Sequence, residues 1–143
     1  MQFKNIIIIF CVLASAGCKE DKDPALIRQL ISTTFDRPGS KVQAHPIVVV
    51  NQYAIADWTQ DVKAGRALLA LRDGKWTLLL CGGQAVKDTM ILIQSGVPGI
   101  TSVHLVNQLA AAESSLSTDQ VQRFDGFGSV VHFYGTSSHH THQ

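Results

Sequence analysis

The sequence predicts an α+β fold, an antiparallel sheet backed by helices, and three observations predict it. A helical apolar period near the N-terminus gives way at Val42 to short β-rich runs. Those runs are separated by turn residues, above all Asp73-Gly74. After Gly82-Gly83 the apolar spacing lengthens again to that of helices. The expected architecture is an N-terminal helix, a sheet of two hairpins with a candidate C-terminal strand, and two to three helices packed on the sheet.

The chain opens with a lone cation, Lys4, followed by the uncharged run Ile6 to Ala16, the layout of a secretory signal. Its 11 residues are short for a membrane span, which needs about 20. Two processing sites compete. Ala14-Ser15-Ala16 is an A-x-A site, and Ala14-Ser15-Ala16-Gly17-Cys18 supplies small residues before a cysteine, as lipoprotein processing requires. The second is the expected one, with residues 1–17 as signal peptide and Cys18 lipidated. The predicted location is therefore the periplasm, with the lipid as a membrane anchor. Residues 18–23 are polar and read as a tether.

The 143-residue chain leaves 126 residues from Cys18 onward, room for a single domain with a real core, placed at 24–134. Losing Lys4 takes Lys plus Arg from 12 to 11, against 11 Asp plus Glu. A near-neutral chain without a basic run argues against nucleic acid as a partner. Of the three cysteines, Cys11 leaves with the signal and Cys18 takes the lipid, so Cys81 stands alone unless lipidation fails.

Asp23-Pro24 is read as cap and first residue of a helix over 24–35, with Leu26, Ile27, Leu30, Ile31 and Phe35 on its inner face. The runs Ile47–Val50 and Tyr53–Trp58 flank Asn51-Gln52 as a first hairpin, which places His45 opposite Trp58. Ala67–Arg72 and Lys75–Cys81 flank Asp73-Gly74 as a second. Counting outward pairs Leu71 with Trp76, Leu69 with Leu78 and Ala67 with Leu80 on one face, and Leu68 with Leu79 and Arg66 with Cys81 on the other. Both faces are apolar, so helices should cover at least one of them.

Val86, Met90 and Ile93 follow at helical spacing up to Gly96-Val97-Pro98-Gly99. A second helical run starts near Thr101, with Val103, Val106, Leu109 and Ala110 assigned to its inner face. Ser117-Thr118-Asp119-Gln120 reads as a capping box opening a last short helix through Phe124. Residues 129–134 are the candidate returning strand, with His132 pointing away from the face of Val131 and Phe133. Residues 135–143 read as a flexible tail.

That tail carries the densest chemistry in the chain. His139, His140 and His142 place three imidazoles within four residues, a donor set suited to Cu(II), Ni(II) or Zn(II). His45 and His104 are read as structural and surface histidines. Cys81 is a candidate reactive thiol, because a neighbouring Arg66 would favour the thiolate; a buried small hydrophobe is the preferred reading. Asp57, Asp61, Asp73 and Asp88 show no pairing that suggests acid or base work. No catalytic residue is assigned, and the chain is read as non-enzymatic.

The segments Ala56-Asp57-Trp58-Thr59-Gln60, Gly65-Arg66-Ala67-Leu68-Leu69, Trp76 and Leu80-Cys81-Gly82-Gly83 resemble the bacterial copper uptake system-associated proteins. The likeness runs from Val48 to Gly83, more loosely through the alanine-rich helix and Arg123-Phe124. It implies a small exported protein working beside copper acquisition, with the copper ion and a copper-transport protein as partners, and brings no catalytic motif. A methionine-rich Cu(I) site is missing, so copper would fall to histidine and Cys81. Asp57, Trp58, Arg66 and Trp76 are then sheet scaffold. An interaction or structural module of the envelope without a metal role is the alternative.

Overall fold

A computed structural model describes residues 21–133 of the chain. The signal segment, Cys18, Tyr134 and the histidines at 139, 140 and 142 lie outside the described residues. Helix α1 spans Lys22–Phe35. Strands β1 (Gln43–Val50), β2 (Tyr53–Gln60), β3 (Lys63–Arg72) and β4 (Lys75–Gly82) follow without interruption. A 3-10 turn at Gln84–Lys87 leads to helices α2 (Thr89–Gln94), α3 (Gly99–Glu113) and α4 (Thr118–Asp125), and the short strand β5 (Val131–His132) comes last. The five strands are antiparallel and lie in sequence order. The architecture is the predicted α+β arrangement.

The sheet is covered on both sides. One face packs Ala54, Ala56, Ala67, Leu69, Trp76, Leu78 and Cys81 against Ile27 and Ile31 of α1. The other packs Val48, Ile55, Leu68 and Leu80 against Val86, Leu92, Leu105 and Leu109. Fully burying a side chain such as Ile27 or Leu105 is worth about 1.5–3 kcal/mol, and this double cover explains why both strand faces are apolar.

α1 begins earlier than the tether boundary allows, with Asp21 at its cap and Lys22 and Asp23 already helical. Asp23 does not cap, because its carboxylate accepts from Trp76 Nε1 at 3.2 Å. Pro24 is harmless there, since an N–H in the first turn has no helical acceptor to lose.

The sheet is a continuous meander rather than two separate hairpins. Asp61-Val62 closes a third turn, with Asp61 at φ 53, and aligns Asp57 with Arg66. The outer turns fall as read: Asn51-Gln52 pairs Val50 with Tyr53, and Asp73-Gly74 pairs Arg72 with Lys75.

Two irregularities correct the expected registers. Between Ala44 and Ile47 the β1 ladder shifts, so that Ala44 and not His45 stands opposite Trp58. Pro46 lies in this gap and has no N–H to give the ladder. In β4 a bulge sets Leu68 against Leu80, Ala67 against Cys81 and Arg66 against Gly82. The extra residue inverts the alternation beyond it. Leu80 turns toward the α3 side and Cys81 toward the α1 side.

The helical faces also differ from the reading. Val86 and Leu92 are buried, while Met90 and Ile93 are 57% and 41% exposed. Asp88 caps α2 afresh through Met90 N, so the phase set at Val86 does not carry through. On α3 the inner line is Ser102, Leu105, Leu109 and Glu113, whereas Val103 and Ala110 are exposed. The helix is turned so that Glu113 points inward. The Ser117–Gln120 capping box on α4 is present as expected, each residue bonding the other's backbone N–H.

Candidate functional site

The chain's densest described constellation is an ionic cluster beneath α3 and α4. Arg66 of β3 is wholly buried. Its Nε donates to Glu113 Oε1 at 2.8 Å, and its Nη1 donates to Asp125 Oδ1 at 2.7 Å. Nη2 lies 2.7 Å from the same Glu113 oxygen, an ionic contact too poorly aligned to count as a further hydrogen bond. Asp57 of β2 stands across the strand pair, with Oδ1 3.4 Å from Arg66 Nε. The guanidinium carbon lies 5.7 Å from the centre of the Phe124 ring, a cation–π distance.

Lys87 completes the cluster from the 3-10 turn, 3.3 Å from Asp125 Oδ1 and 3.6 Å from Glu113 Oε2. With its amide nitrogen turned inward, Gln84 donates to both Asp125 oxygens at 3.1 and 3.2 Å. Three carboxylates thus face two cations. Burial, and after it the negative charge of Glu113, push the Asp57 carboxyl up to about 8, against the opposing pull of Arg66. At neutral pH Asp57 therefore keeps its proton beside the Glu113 carboxylate. Neither of its oxygens accepts a hydrogen bond among the described residues, since the Arg66 Nε–H 3.4 Å away is given to Glu113. One retained proton makes the cluster electrically neutral, the condition under which buried ions are tolerable.

Chemically, this arrangement fastens rather than reacts. It ties β2, β3, the 3-10 turn, α3 and α4 to one guanidinium, and the groups it uses are turned toward each other. The structure pairs Asp57 with Arg66 across the sheet, an ionic partnership beyond the scaffold role read for the two residues. The signal was present in the sequence: taking Asp61-Val62 as a turn puts Asp57 opposite Arg66, two charges inside otherwise apolar strands. Nothing in the sequence spacing points to Glu113, Asp125 or Lys87.

Cys81 does not meet Arg66. It is buried on the opposite face, where burial pushes the thiol up to about 12 despite the indole N–H of Trp58. A thiol so placed is protonated and withdrawn from reagents at neutral pH. His45, His104 and His132 fall on β1, α3 and β5, all exposed. His132 points to the face opposite Phe133 and lines a surface cleft with Leu79 and Ile91. Among the described residues no group of three or more His, Cys, Asp or Glu is arranged to hold a metal ion. Nor is any described helix long and apolar enough to cross a membrane.

No family model, no curated protein and no solved structure matches the chain.

Proposed function

We propose that this protein is an exported, non-catalytic accessory of copper uptake. In this reading lipid on Cys18 holds it at a membrane of the periplasm, and His139, His140 and His142 bind copper or pass it to a transport protein. The observation that carries the reading is the trio of imidazoles within four residues, donors that suit Cu(II). The resemblance of Val48 to Gly83 to copper uptake system-associated proteins supplies the context. The folded body fits a carrier's role, because the acids of its buried cluster are engaged with Arg66 and Lys87 and its thiol is enclosed.

Calorimetric titration of Cu(II) into the full-length protein and into a variant ending at Ser138 tests this. Binding that disappears with the three histidines is the expected result. Equal binding by both, or binding by neither, removes the tail from copper handling.

One observation favours the alternative, a protein-interaction module of the envelope. Met90, Ile93, Ile100 and Val103 are 57%, 41%, 76% and 47% exposed on α2 and α3. Clustered exposed apolar side chains mark contact surfaces more often than chance. Under this reading, charged substitutions at Ile100 and Val103 abolish function while loss of the tail does not.

A further inference from the structure

A second feature of the fold has no part in the buried cluster or in the histidine tail. At the end of the sheet where β2, β3 and β5 meet the last turn of α1, a cavity of about 190 Å³ lies between two edge-to-face aromatic pairs. Phe35 and Phe133 are one pair, with centroids 6.0 Å apart and planes at 76°. Trp58 and Phe127 are the other, at 5.6 Å and 76°. Gly65 makes the second pair fit, since a Cβ there would lie 2.9 Å from the Trp58 ring and 3.0 Å from Phe127.

The inner end of the cavity is the buried Cys81. The outer end is charged, because the exposed Arg37 and Lys63 both line it. Gln60 is spent inward, donating to the carbonyls of Phe35 and Ser40. Asp61 borders the adjoining depression, where it accepts from the Ser40 hydroxyl. One donor is left over: Trp58 Nε1 is buried without an oxygen or nitrogen acceptor among the described residues. The Cys81 sulfur that it faces is a weak acceptor.

We propose that this cavity binds a small organic anion with a ring-sized apolar body, the body held between the aromatic pairs and the charge met by Arg37 and Lys63. The size sets the class. A cavity of about 150 Å³ lined by apolar side chains takes up benzene, so 190 Å³ admits one ring and its substituent and excludes a nucleotide or a fatty acyl chain, which need the larger volumes usual for cofactor sites. The aromatic walls supply edges and faces for stacking. The two cations at the mouth select an anion over a neutral ring. The site is independent of copper, and its failure would leave the copper proposal standing.

Benzoate is the probe. The chain has two tryptophans, so the ¹⁵N-labelled full-length protein gives two side-chain indole N–H signals. The Trp58 signal is expected to move saturably with benzoate at roughly millimolar concentration, while the Trp76 signal stays where its bond to Asp23 holds it. Trp76→Phe assigns the two; should that variant not fold, Asp23→Ala shifts the Trp76 signal and assigns them equally well. Arg37→Glu together with Lys63→Glu, both on exposed side chains, is expected to weaken benzoate at least tenfold and to leave benzyl alcohol unchanged. The proposal is overturned by the absence of saturation up to about 10 mM benzoate. It is equally overturned by acetate reproducing the shift, or by charge reversal without effect on benzoate.

Discussion

Asp57 and Arg66 face one another directly across β2 and β3, yet Arg66 makes its shorter contacts elsewhere, 2.8 Å to Glu113 and 2.7 Å to Asp125 against 3.4 Å to Asp57. The neighbour on the sheet is the secondary partner. Asp57 serves as the proton holder of the cluster, and that role fixes how stability should respond to pH.

The unfolded carboxyl titrates near 3.8, and the folded one is raised to about 8. A raised acid keeps its proton in the native state while the unfolded chain releases one, so its contribution is full below about 3.8 and fades as pH climbs toward about 8. Asp57→Asn puts a neutral amide of the same shape in place of the carboxyl and removes the titration. Urea melts at pH 5 and pH 8 should show the wild type losing stability, relative to Asp57→Asn, by an amount on the order of a few kcal/mol. Parallel pH profiles for the two proteins would mean that Asp57 is ionised in the fold.

Removing the guanidinium leaves the carboxylates of Glu113 and Asp125 to share the single charge of Lys87. Arg66→Met should cost about 3–5 kcal/mol in urea denaturation, the range for breaking a buried ion pair from one side. Replacing Glu113 with Gln in the same chain should recover part of that loss, because one uncompensated charge goes with it. Strict additivity of the two changes would show that they do not share an interaction.

Gly83 is where the cluster meets the backbone. A Cβ at this position would collide with the carbonyl of Asp125 and come within 2.7 Å of that of Phe127. Main-chain atoms cannot swing aside, so Gly83→Ala is expected to destabilise by about 1–3 kcal/mol, the usual cost of overpacking. Gly128→Ala is the control, with nothing within 4 Å of the added methyl. Thermal melts of the two variants should separate clearly.

Cys81 should resist a thiol reagent such as dithionitrobenzoate at pH 7 in the folded protein and react at once in denaturant. Burial and a thiol raised to about 12 both predict this. Reaction of the native protein at the rate of a free thiol would contradict it.

The turns were legible because their chemistry is local. Asp73-Gly74 and Asn51-Gln52 set their registers from a few residues, and the Ser117–Gln120 box announces α4 in the same way. Asp61-Val62 was missed because Val is a poor turn residue, and with it went the Asp57–Arg66 pairing. The β4 bulge left no mark in a run of leucines, in which any residue can take the extra place. The inner face of α3 was misjudged for a different reason. Alanine and valine offered a plausible apolar stripe, but burying Glu113 against Arg66 turns the helix away from it. The residues completing the cluster and the aromatic cavity come from segments far apart in the chain, and no spacing rule reaches across such distances.

The single extra residue in β4 also bears on the chain's oxidation chemistry. Had β4 been regular, Cys81 would share a face with Arg66, whose charge would encourage the thiolate. The bulge instead puts the thickness of the sheet between sulfur and guanidinium. For a protein of an oxidising envelope, as we propose, an activated lone thiol invites mixed disulfides and cross-linked dimers. A one-residue slip in strand pairing thus acts as insulation, and deleting Leu79 would preserve it, because Cys81 would still pair with Ala67 on the α1 side of the sheet.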